Sequence, residues 1–369
     1  MKVLHTEWSD GWGGQEIRII NEMLAMQGLG VEVFLACKAQ SKIYQEAKKN
    51  NLQFFILPFR GNADLSTIFQ LYKIIKKYNI DIINTHSGKD TWVGGIAAKL
   101  TRIKFIRTRH LSNPINKSRL NFINELADFV ITTGEIVRRD MIHNNRISPE
   151  KIMSIPTGPS EKIFNPNIYK YENCRDIFNL TKDEIVIGML AVLRRFKRHD
   201  RFLVMAKHIR DNFPQKKFKF LIAGDGPQRE NIELLIQQND LKKEVILLGH
   251  IKNQAEFLCA IDLFVMVSDS GEGVPQSLIQ ALMMNKKSIS TNVGSVSDLF
   301  HDNNFQLIRN NSQKALNLSV KNFLLSDSNN SSSKVKCNDF VKVNFSEKVM
   351  ADKILKIYKQ LLNNENLSY

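Results

Sequence analysis

The sequence predicts an α/β protein made of two doubly wound domains, each with a parallel sheet between layers of helices. Short apolar runs alternate with segments of helical spacing along most of the chain, a pattern typical of βα units. The alternation is interrupted by a polar stretch without periodicity, residues 165–183. Because 369 residues are enough for two hydrophobic cores, we place the domains at residues 1–165 and 166–344. The remaining segment, 345–369, contains an amphipathic helix.

The composition is that of an ordinary soluble globular protein, with 43% apolar and 24% charged residues. No apolar run approaches the roughly 18 residues that a membrane span needs. The amino-terminal residues include Lys2, His5 and Glu7, so they do not resemble a signal peptide. The four cysteines lack metal-ligand spacing, and we expect free thiols in a reducing cytoplasm.

The formal net charge is +15, and the densest basic block is residues 91–124, which contain no acidic residue. The basic side chains of this segment are Lys99, Arg102, Lys104, Arg107, Arg109, Lys117 and Arg119. Anionic lipid, nucleic acid or a phosphorylated substrate would each explain such a segment. A solvated basic face without a partner is the remaining interpretation.

In the first half, strands are predicted at residues 2–7, 31–37, 54–57, 80–85, 104–108 and 129–132. Helical spacing predicts helices at residues 17–26, 65–78, 92–101 and 135–144. Gly13 and Gly14 lie between the first strand and the first helix, where a loop can hold a phosphate or form a simple tight turn. His110 follows the strand at 104–108. A single histidine is more often structural, but ligands of open α/β sheets bind at the carboxyl ends of strands.

In the second half, strands are predicted at residues 185–193, 218–223, 245–248, 261–267 and 287–290. The first of these ends in a basic run that includes Arg194 and Lys197. Cations at the carboxyl end of a strand suit a diphosphate, and a cluster of solvated charges is the alternative.

The strand at 261–267 leads into a glycine-flanked loop that carries Glu272. Gly271 and Gly273 allow backbone angles that bulkier residues resist. Pro275 fits the first turn of the following helix, whose amides favour anions. A structural turn that happens to hold a glutamate would have the same pattern.

Residues 272–281, Glu-Gly-Val-Pro-Gln-Ser-Leu-Ile-Gln-Ala, resemble the Glu-Gly-x-Pro-x-x-x-x-Glu-Ala signature of the retaining GT-B glycosyltransferases, glycosyltransferase family 4. The second glutamate of the signature is Gln280 here. Three further segments fall in the family's order. They are the glycine pair Gly13-Gly14, the Gly-Asp-Gly-Pro turn at 224–227, and Ile-Pro-Thr-Gly at 155–158, with Thr157 in place of the usual Asn.

The resemblance implies the GT-B fold, in which two Rossmann-like domains face each other across a cleft. Residues 1–165 would then form the acceptor-side domain and residues 166–344 the nucleotide-sugar-binding domain. The helix in 345–369 would cross back onto the first domain. The implied reaction retains the configuration of the anomeric carbon. Because the sequence contains no Asp-x-Asp motif, we expect no metal site and no cofactor other than the donor substrate.

The resemblance also implies roles for particular residues. It assigns His110 and Glu272 to the catalytic site. It assigns donor binding to Gly13, Gly14, Arg194, Lys197, Gly224, Ile251, Gly273, Val274, Pro275, Gln280 and Gly294. Arg198 stands where the family usually has a glycine.

Bacterial relatives with basic first domains mostly build lipopolysaccharide, O-antigen or capsule on lipid carriers. The resemblance therefore implies a UDP- or GDP-linked donor, a lipid-linked or glycan acceptor, and a place at the inner face of the plasma membrane, held through residues 91–124. Two other classes stay open. Gln280 leaves room for a non-catalytic nucleotide-sugar-binding partner of another transferase. The charge alone would allow a nucleic-acid-binding protein, although no helix-turn-helix, finger or RNP-like motif is present.

Overall fold

The computed structural model describes residues 1–110, 115, 119–326 and 337–363, with the backbone alone for 119–121 and 337–338. The chain divides into two compact units. The first comprises Met1–Gly158 with Glu347–Tyr369, and the second comprises Pro159–Ser346. The predicted division after residue 165 lies slightly beyond this one.

The first unit is built on a parallel sheet of seven strands. They are β1 (Lys2–Glu7), β2 (Glu32–Cys37), β3 (Gln53–Ile56), β4 (Ile82–Thr85), β5 (Lys104–Arg109), β6 (Phe129–Thr132) and β7 (Ile152–Ser154). Their order is β3-β2-β1-β4-β5-β6-β7, so the direction of winding reverses between β1 and β4. All the strands predicted here are confirmed. The sequence did not predict β7.

Five helices of the first unit precede the division: α1 (Gly14–Gly28), α2 (Lys42–Lys49), α3 (Leu65–Tyr78), α4 (Gly88–Thr101) and α5 (Glu135–Asn145). Successive strand residues point to opposite faces of a sheet. Val3 accordingly packs into a core with α1, and Leu4 packs into a second core with α3 and α4. The sheet is therefore covered by helices on both faces, as predicted for doubly wound topology.

The second unit has a parallel sheet of six strands. They are β8 (Glu184–Leu190), β9 (Lys217–Ala223), β10 (Val245–Gly249), β11 (Leu263–Met266), β12 (Lys287–Thr291) and β13 (Gln306–Ile308). The order β10-β9-β8-β11-β12-β13 reverses between β8 and β11. The predicted strands are confirmed, with β8 and β11 shorter than the apolar runs that contain them. The short edge strand β13 was not predicted.

The helices of the second unit are α6 (Tyr171–Ile177), α7 (His199–Asn212), α8 (Arg229–Gln238), α9 (Gln254–Ala260), α10 (Gln276–Met283), α11 (Gln313–Ser326) and α12 (Cys337–Phe345). Short 3-10 helices cover Arg119–Asn124, Pro149–Lys151, Pro166–Ile168, Arg195–Lys197 and Gly294–Leu299. Among the described residues, no helix is long and apolar enough to cross a membrane.

The last described helix, α13 (Glu347–Asn363), packs against α1 in the first unit. Tyr358 is fully buried there, and its hydroxyl donates a hydrogen bond to Glu22 Oε1 over 3.3 Å. Glu22 also pairs with Arg18, whose Nε lies 3.4 Å from Glu22 Oε2. The predicted return of the terminal helix to the first domain is thus confirmed, and a buried polar contact accompanies the apolar packing.

Candidate functional site

In the second unit, the loops that follow β8 and β11 bring Lys197 and Glu272 together. The two strands are neighbours at the point where the winding reverses, which is where open α/β sheets bind ligands. Lys197 Nζ lies 2.5 Å from Glu272 Oε1. Ser268 Oγ donates to the same oxygen over 2.6 Å. Glu272 is only 6% exposed, so its carboxylate is held from two sides in a largely dry environment.

Gly294 allows the loop after β12 to press against the backbone of Glu272. A Cβ atom at this position would lie 1.9 Å from the Glu272 carbonyl oxygen. The φ angle of Gly294, +53°, is also in the region that favours glycine. The family resemblance predicts donor binding for Gly294, and in the structure its close approach helps to place Glu272.

Gly224 performs a similar task at the other side of β8. Its φ angle is +140°, and a Cβ atom here would lie 1.9 Å from the carbonyl oxygen of Ala191. The turn after β9 can therefore lie directly on the backbone after β8. Both glycines shape the carboxyl edge of the sheet around the loop that carries Lys197.

Arg198 adopts a left-handed conformation, with φ +55° and ψ +47°. This backbone is why glycine is usual at the position. The Arg198 guanidinium lies 2.8 Å from Asp200 and 3.0 Å from Asp269. Hydrogen bonding to Asp200 raises the pKa of Arg198 above its ordinary value. Arg198 thus binds the loop together, whereas Arg194 is exposed and available to a ligand.

Pro275 was predicted to lie in the first turn of α10, and the structure corrects this prediction. Pro275 is the N-cap residue, with extended backbone angles of −73° and 120°, and does not lie in the first turn. Val274 is buried in the core beneath it, and Gly273 is half-buried. Gln280 lies on α10 and is also half-buried. Ile251 follows β10, on the same carboxyl edge of the sheet as the loops after β8 and β11.

In the first unit, His110 is the last member of a chain of three histidines. His5 Nδ1 lies 3.0 Å from His86 Nε2, and His86 Nδ1 lies 3.0 Å from His110 Nε2. His5 belongs to β1, whereas His86 directly follows β4 and His110 directly follows β5. Burial lowers the pKa of His5 to about 3 and, together with neighbouring cationic groups, holds the pKa values of His86 and His110 well below their ordinary value.

Two buried carboxyl groups lie beside this chain. Glu7, at the end of β1, accepts hydrogen bonds from the Ser9 amide over 2.7 Å and from Gln15. Asp90 accepts from Thr6 Oγ1 and from the His86 amide, each over 2.8 Å. Burial raises the pKa of Glu7 to about 8, and the nearby charge of Asp90 adds to the effect. Burial raises the pKa of Asp90 as well.

The glycine pair begins α1. Gly13 is the N-cap residue, and its amide donates to Glu16 Oε2 over 2.8 Å. The Gly13 amide is therefore already hydrogen-bonded to a carboxylate of the same chain. The N-terminus of α1 lies beside β1, at the reversal point of the first sheet.

The basic segment 91–124 does not form a uniform charged surface. Arg107 is buried, and its guanidinium donates to the Ser87 carbonyl over 3.4 Å and to Thr91. Lys99 lies 3.3 Å from Asp128. Lys117 and the side chain of Arg119 lie outside the described residues.

Sequence reasoning identified His110 but missed His5, His86, Glu7 and Asp90. His5 and Glu7 alternate along β1, with Thr6 between them, and alternate residues of a strand share a face. Two polar residues on the same face of a central strand indicate that this face borders a site. His86 and His110 follow two different strands, and neither segment alone contains a pattern that predicts their contact.

Family models match both units. The model for glycosyl transferases group 1 matches residues 170–339, and the model for glycosyltransferase family 4 matches residues 12–160. The chain belongs to the GT-B glycosyltransferases of family 4.

The relatives of this family 4 glycosyltransferase include bacterial glycosyltransferases. The UDP-Gal:alpha-D-GlcNAc-diphosphoundecaprenol alpha-1,3-galactosyltransferase of Escherichia coli is 25% identical over 310 residues, which cover 79% of this chain and 80% of the relative. The capsular polysaccharide biosynthesis glycosyltransferase CapH of Staphylococcus aureus is 23% identical, covering 83% of this chain and 86% of the relative.

Solved structures show the same fold. A glycosyltransferase from Rickettsia africae has a TM-score of 0.87 at 21% identity, covering 99% of each chain. Anabaena HepE in complex with UDP-glucose has a TM-score of 0.83 at 15% identity, covering 98% of this chain and all of the other. The predicted family and GT-B fold are confirmed.

Proposed function

We propose that this glycosyltransferase moves a sugar from a UDP- or GDP-linked donor to a lipid-linked or glycan acceptor, with retention of the anomeric configuration. The observation that carries the proposal is the Lys197–Glu272 pair at the reversal point of the second sheet. A nucleotide-sugar has a charged diphosphate and neutral sugar hydroxyls. An ammonium held at this place can bind the diphosphate, and a carboxylate can bind the hydroxyls.

The diphosphate is assigned to Arg194, Lys197 and the N-terminus of α10. An ammonium has three hydrogens, so Lys197 can contact Glu272 and still donate to a phosphate oxygen. Arg194 adds an exposed guanidinium with fork geometry. The positive end of the α10 dipole also favours an anion. These groups supply the charge that stabilises the departing diphosphate, and we propose that no divalent cation is required.

Glu272 is assigned to the hydroxyl groups of the sugar. Among the described residues, the contacts of its carboxylate fall on Oε1, which leaves Oε2 for the donor. His110 is assigned to the same sugar by the sequence resemblance. A carboxylate fixed by two donors is suited to positioning, so we do not assign Glu272 as a nucleophile.

The proposed transfer needs no covalent intermediate with the protein. The bond between the anomeric carbon and the diphosphate oxygen breaks. The acceptor hydroxyl oxygen forms the new bond on the same face, and its proton passes to the departing diphosphate. The protein contributes orientation and electrostatic stabilisation of the developing negative charge.

The acceptor class is suggested by the relatives. The Escherichia coli enzyme is named for a diphosphoundecaprenol-linked acceptor and a UDP-linked donor, and such an acceptor is embedded in a membrane. The face of α3 fits attachment to an anionic bilayer. It exposes Leu65, Phe69 and Tyr72, of which Leu65 is 77% exposed. Lys73 and Lys76 are exposed on the same helix, and apolar side chains flanked by lysines are typical of interfacial helices.

The experiment that tests the proposal is a screen of UDP- and GDP-linked sugars, with a diphosphoundecaprenol glycan as acceptor, in chelator and in added Mg²⁺. We expect release of the nucleoside diphosphate with one donor, equal rates in the two conditions, and a product whose anomeric configuration by NMR is that of the donor. Glu272→Gln should abolish transfer, and the exposed Glu230→Gln should serve as its matched control. Inversion, or transfer only with Mg²⁺, would contradict the corresponding part of the proposal.

A further inference from the structure

The three histidines of the first unit form an unbranched chain of hydrogen bonds. The two N···N distances, His5 to His86 and His86 to His110, are each 3.0 Å. A distance of this size fits one N–H···N hydrogen bond. Each contact therefore holds one proton, donated by one ring and accepted by the next.

The number of protons limits how the chain can be arranged. Burial lowers the pKa of all three rings, that of His5 to about 3, so the rings are neutral near pH 7. A neutral imidazole has one N–H group and one accepting nitrogen. Three neutral rings thus carry three protons, of which two lie in the contacts. The third lies at one end of the chain, on His5 Nε2 or on His110 Nδ1.

The surroundings of His5 decide between the two ends. His5 is fully buried, and within the described part of the chain its Nε2 has no hydrogen-bond partner. An N–H group at that place would be desolvated without an acceptor, which is unfavourable and rare in proteins. The half-buried His110 can instead direct an N–H group to solvent or to a ligand. The third proton therefore belongs on His110 Nδ1.

We propose that His86, with His5 behind it, is a positioning residue that holds His110 in the Nδ1–H tautomer, so that His110 donates a hydrogen bond to an oxygen of the transferred sugar. Thr133 Oγ1 donates to the His110 carbonyl over 3.1 Å and fixes the backbone at the same place. The sugar as ligand rests on the proposed function, whereas the tautomer rests on the histidine chain alone.

The tautomers can be read directly by long-range ¹H–¹⁵N correlation NMR on protein labelled at its histidines. The proposed direction of the chain places the proton on Nδ1 in His5, His86 and His110. The opposite direction places it on Nε2 in all three, which is also the form that free neutral histidine prefers. We expect three Nδ1–H rings, with the exposed His143 as an internal reference. Protonation of His110 at Nε2 would overturn the proposal.

Two variants of His86 separate positioning from a merely structural role. In His86→Asn the amide nitrogen replaces Nδ1 and still donates to His110, whereas His86→Leu offers no donor. We expect His86→Leu to return His110 to the Nε2–H tautomer and to lower kcat about tenfold, and His86→Asn to keep both near the wild-type state. The exposed His143→Asn is the control.

The outcomes distinguish this proposal from the proposed function. If His86→Leu lowers only the melting temperature and leaves the His110 tautomer and kcat unchanged, His86 has a structural role and the proposal is wrong. If no nucleotide-sugar is a substrate, the proposed function fails, and the wild-type spectrum and the His86→Asn spectrum still decide the tautomer. Those two measurements also suffice if His86→Leu does not fold.

Discussion

Lys197 Nζ and Glu272 Oε1 lie 2.5 Å apart and join the loop after β8 to the loop after β11. The Lys197 side chain is 16% exposed and the Glu272 side chain 7% exposed. Removing one partner of a buried ion pair leaves an uncompensated charge, which costs on the order of 3–5 kcal/mol when burial is complete. We therefore assign Lys197 to the stability of the second unit as well as to the proposed donor site, and the exposed Arg194 to the proposed donor site alone.

This difference predicts distinct results for two alanine variants. We expect Arg194→Ala and Lys197→Ala each to lower kcat at saturating donor at least about 100-fold, because each removes a cation from the departing diphosphate. In thermal unfolding, only Lys197→Ala should lower the melting temperature by several degrees. The exposed Arg195→Ala, from the same loop, should match the wild type in both measurements. Near-normal turnover of both variants would place the diphosphate elsewhere.

The close approach of Gly294 to Glu272 predicts a large effect of one methyl group. In Gly294→Ala, the new Cβ would overlap the Glu272 carbonyl oxygen, at 1.9 Å, on a backbone with φ +53°. We expect a loss of at least about 1 kcal/mol in the free energy of unfolding, together with weaker donor binding because Glu272 must move. Urea denaturation and calorimetric titration measure the two effects.

Gly28→Ala is the matched control for this variant. No atom lies within 4 Å of a Cβ built at Gly28, which is an exposed residue of α1. Its unfolding free energy should stay equal or rise slightly. Equal stability of the two variants would show that the loop after β12 can move away from the new methyl group without a loss in the free energy of unfolding.

The strands could be predicted because a doubly wound fold buries both faces of its sheets, so that β2 or β11 stands out as a mostly apolar run. Lys197 and Glu272 could be placed at strand ends for the same reason. Their direct contact could not be predicted, because it depends on the strand order β8-β11, and no local pattern specifies which strands are neighbours.

The histidine chain shows the same limit. His110 was recognised by its place after a strand, but His5 and His86 were missed because the rings that they contact are distant in sequence. The predicted place of Pro275 in the first turn of α10 was also wrong by one residue, since the sequence does not distinguish the N-cap from the first turn. Arg198 was recognised as unusual, and its left-handed backbone explains why.

The raised pKa of Glu7 predicts a pH dependence of stability. In the unfolded chain, Glu7 loses its proton near its ordinary pKa of 4.5, whereas in the folded chain it keeps the proton up to about pH 8. Between these values the folded state binds more protons, so the contribution of Glu7 to stability decreases as the pH rises. Above pH 8 the buried carboxylate is charged and the stabilisation is lost.

Glu7→Gln should remove this dependence, because the amide does not titrate. Urea denaturation at pH 6 and pH 9 should show that the variant gains stability relative to the wild type at the higher pH. The exposed Glu125→Gln, in the same unit, should follow the wild type at both pH values. Parallel behaviour of Glu7→Gln and wild type would mean that Glu7 is ionised throughout this range.

Membrane attachment through the basic segment 91–124 and through α3 predicts two separable effects in a vesicle flotation assay. Lys117→Glu with Arg119→Glu should release protein from anionic vesicles, since each basic residue near the surface contributes about 1 kcal/mol. Phe69→Ser, which removes an exposed apolar side chain from α3, should weaken binding in a way that high salt does not reproduce. Lys182→Glu, an exposed lysine of the second unit, is the control. Equally strong binding to neutral vesicles would contradict the electrostatic account.

Gln280 gives the last prediction, because it replaces the second glutamate of the family signature. In the resembling enzymes that glutamate accepts hydrogen bonds from both ribose hydroxyls of the donor. The glutamine side chain has the same length but only one accepting oxygen, and its nitrogen only donates. A ribose hydroxyl can accept from that nitrogen, so the geometry can be kept while the charge is lost. Hydrogen bonds to charged groups contribute about 1.5–3 kcal/mol, against roughly 1 kcal/mol for neutral ones.

Gln280→Glu should therefore tighten donor or nucleoside diphosphate binding several-fold in calorimetric titration. The half-buried position of Gln280 on α10 leaves room for a carboxylate that reaches solvent or ligand. Gln238→Glu, an exposed glutamine on α8, is the control for the added charge. Weaker binding by Gln280→Glu would show that the pocket has adapted to the neutral amide. If neither form binds any nucleotide-sugar, the donor site has decayed, and the non-catalytic interpretation of the second unit fails with it.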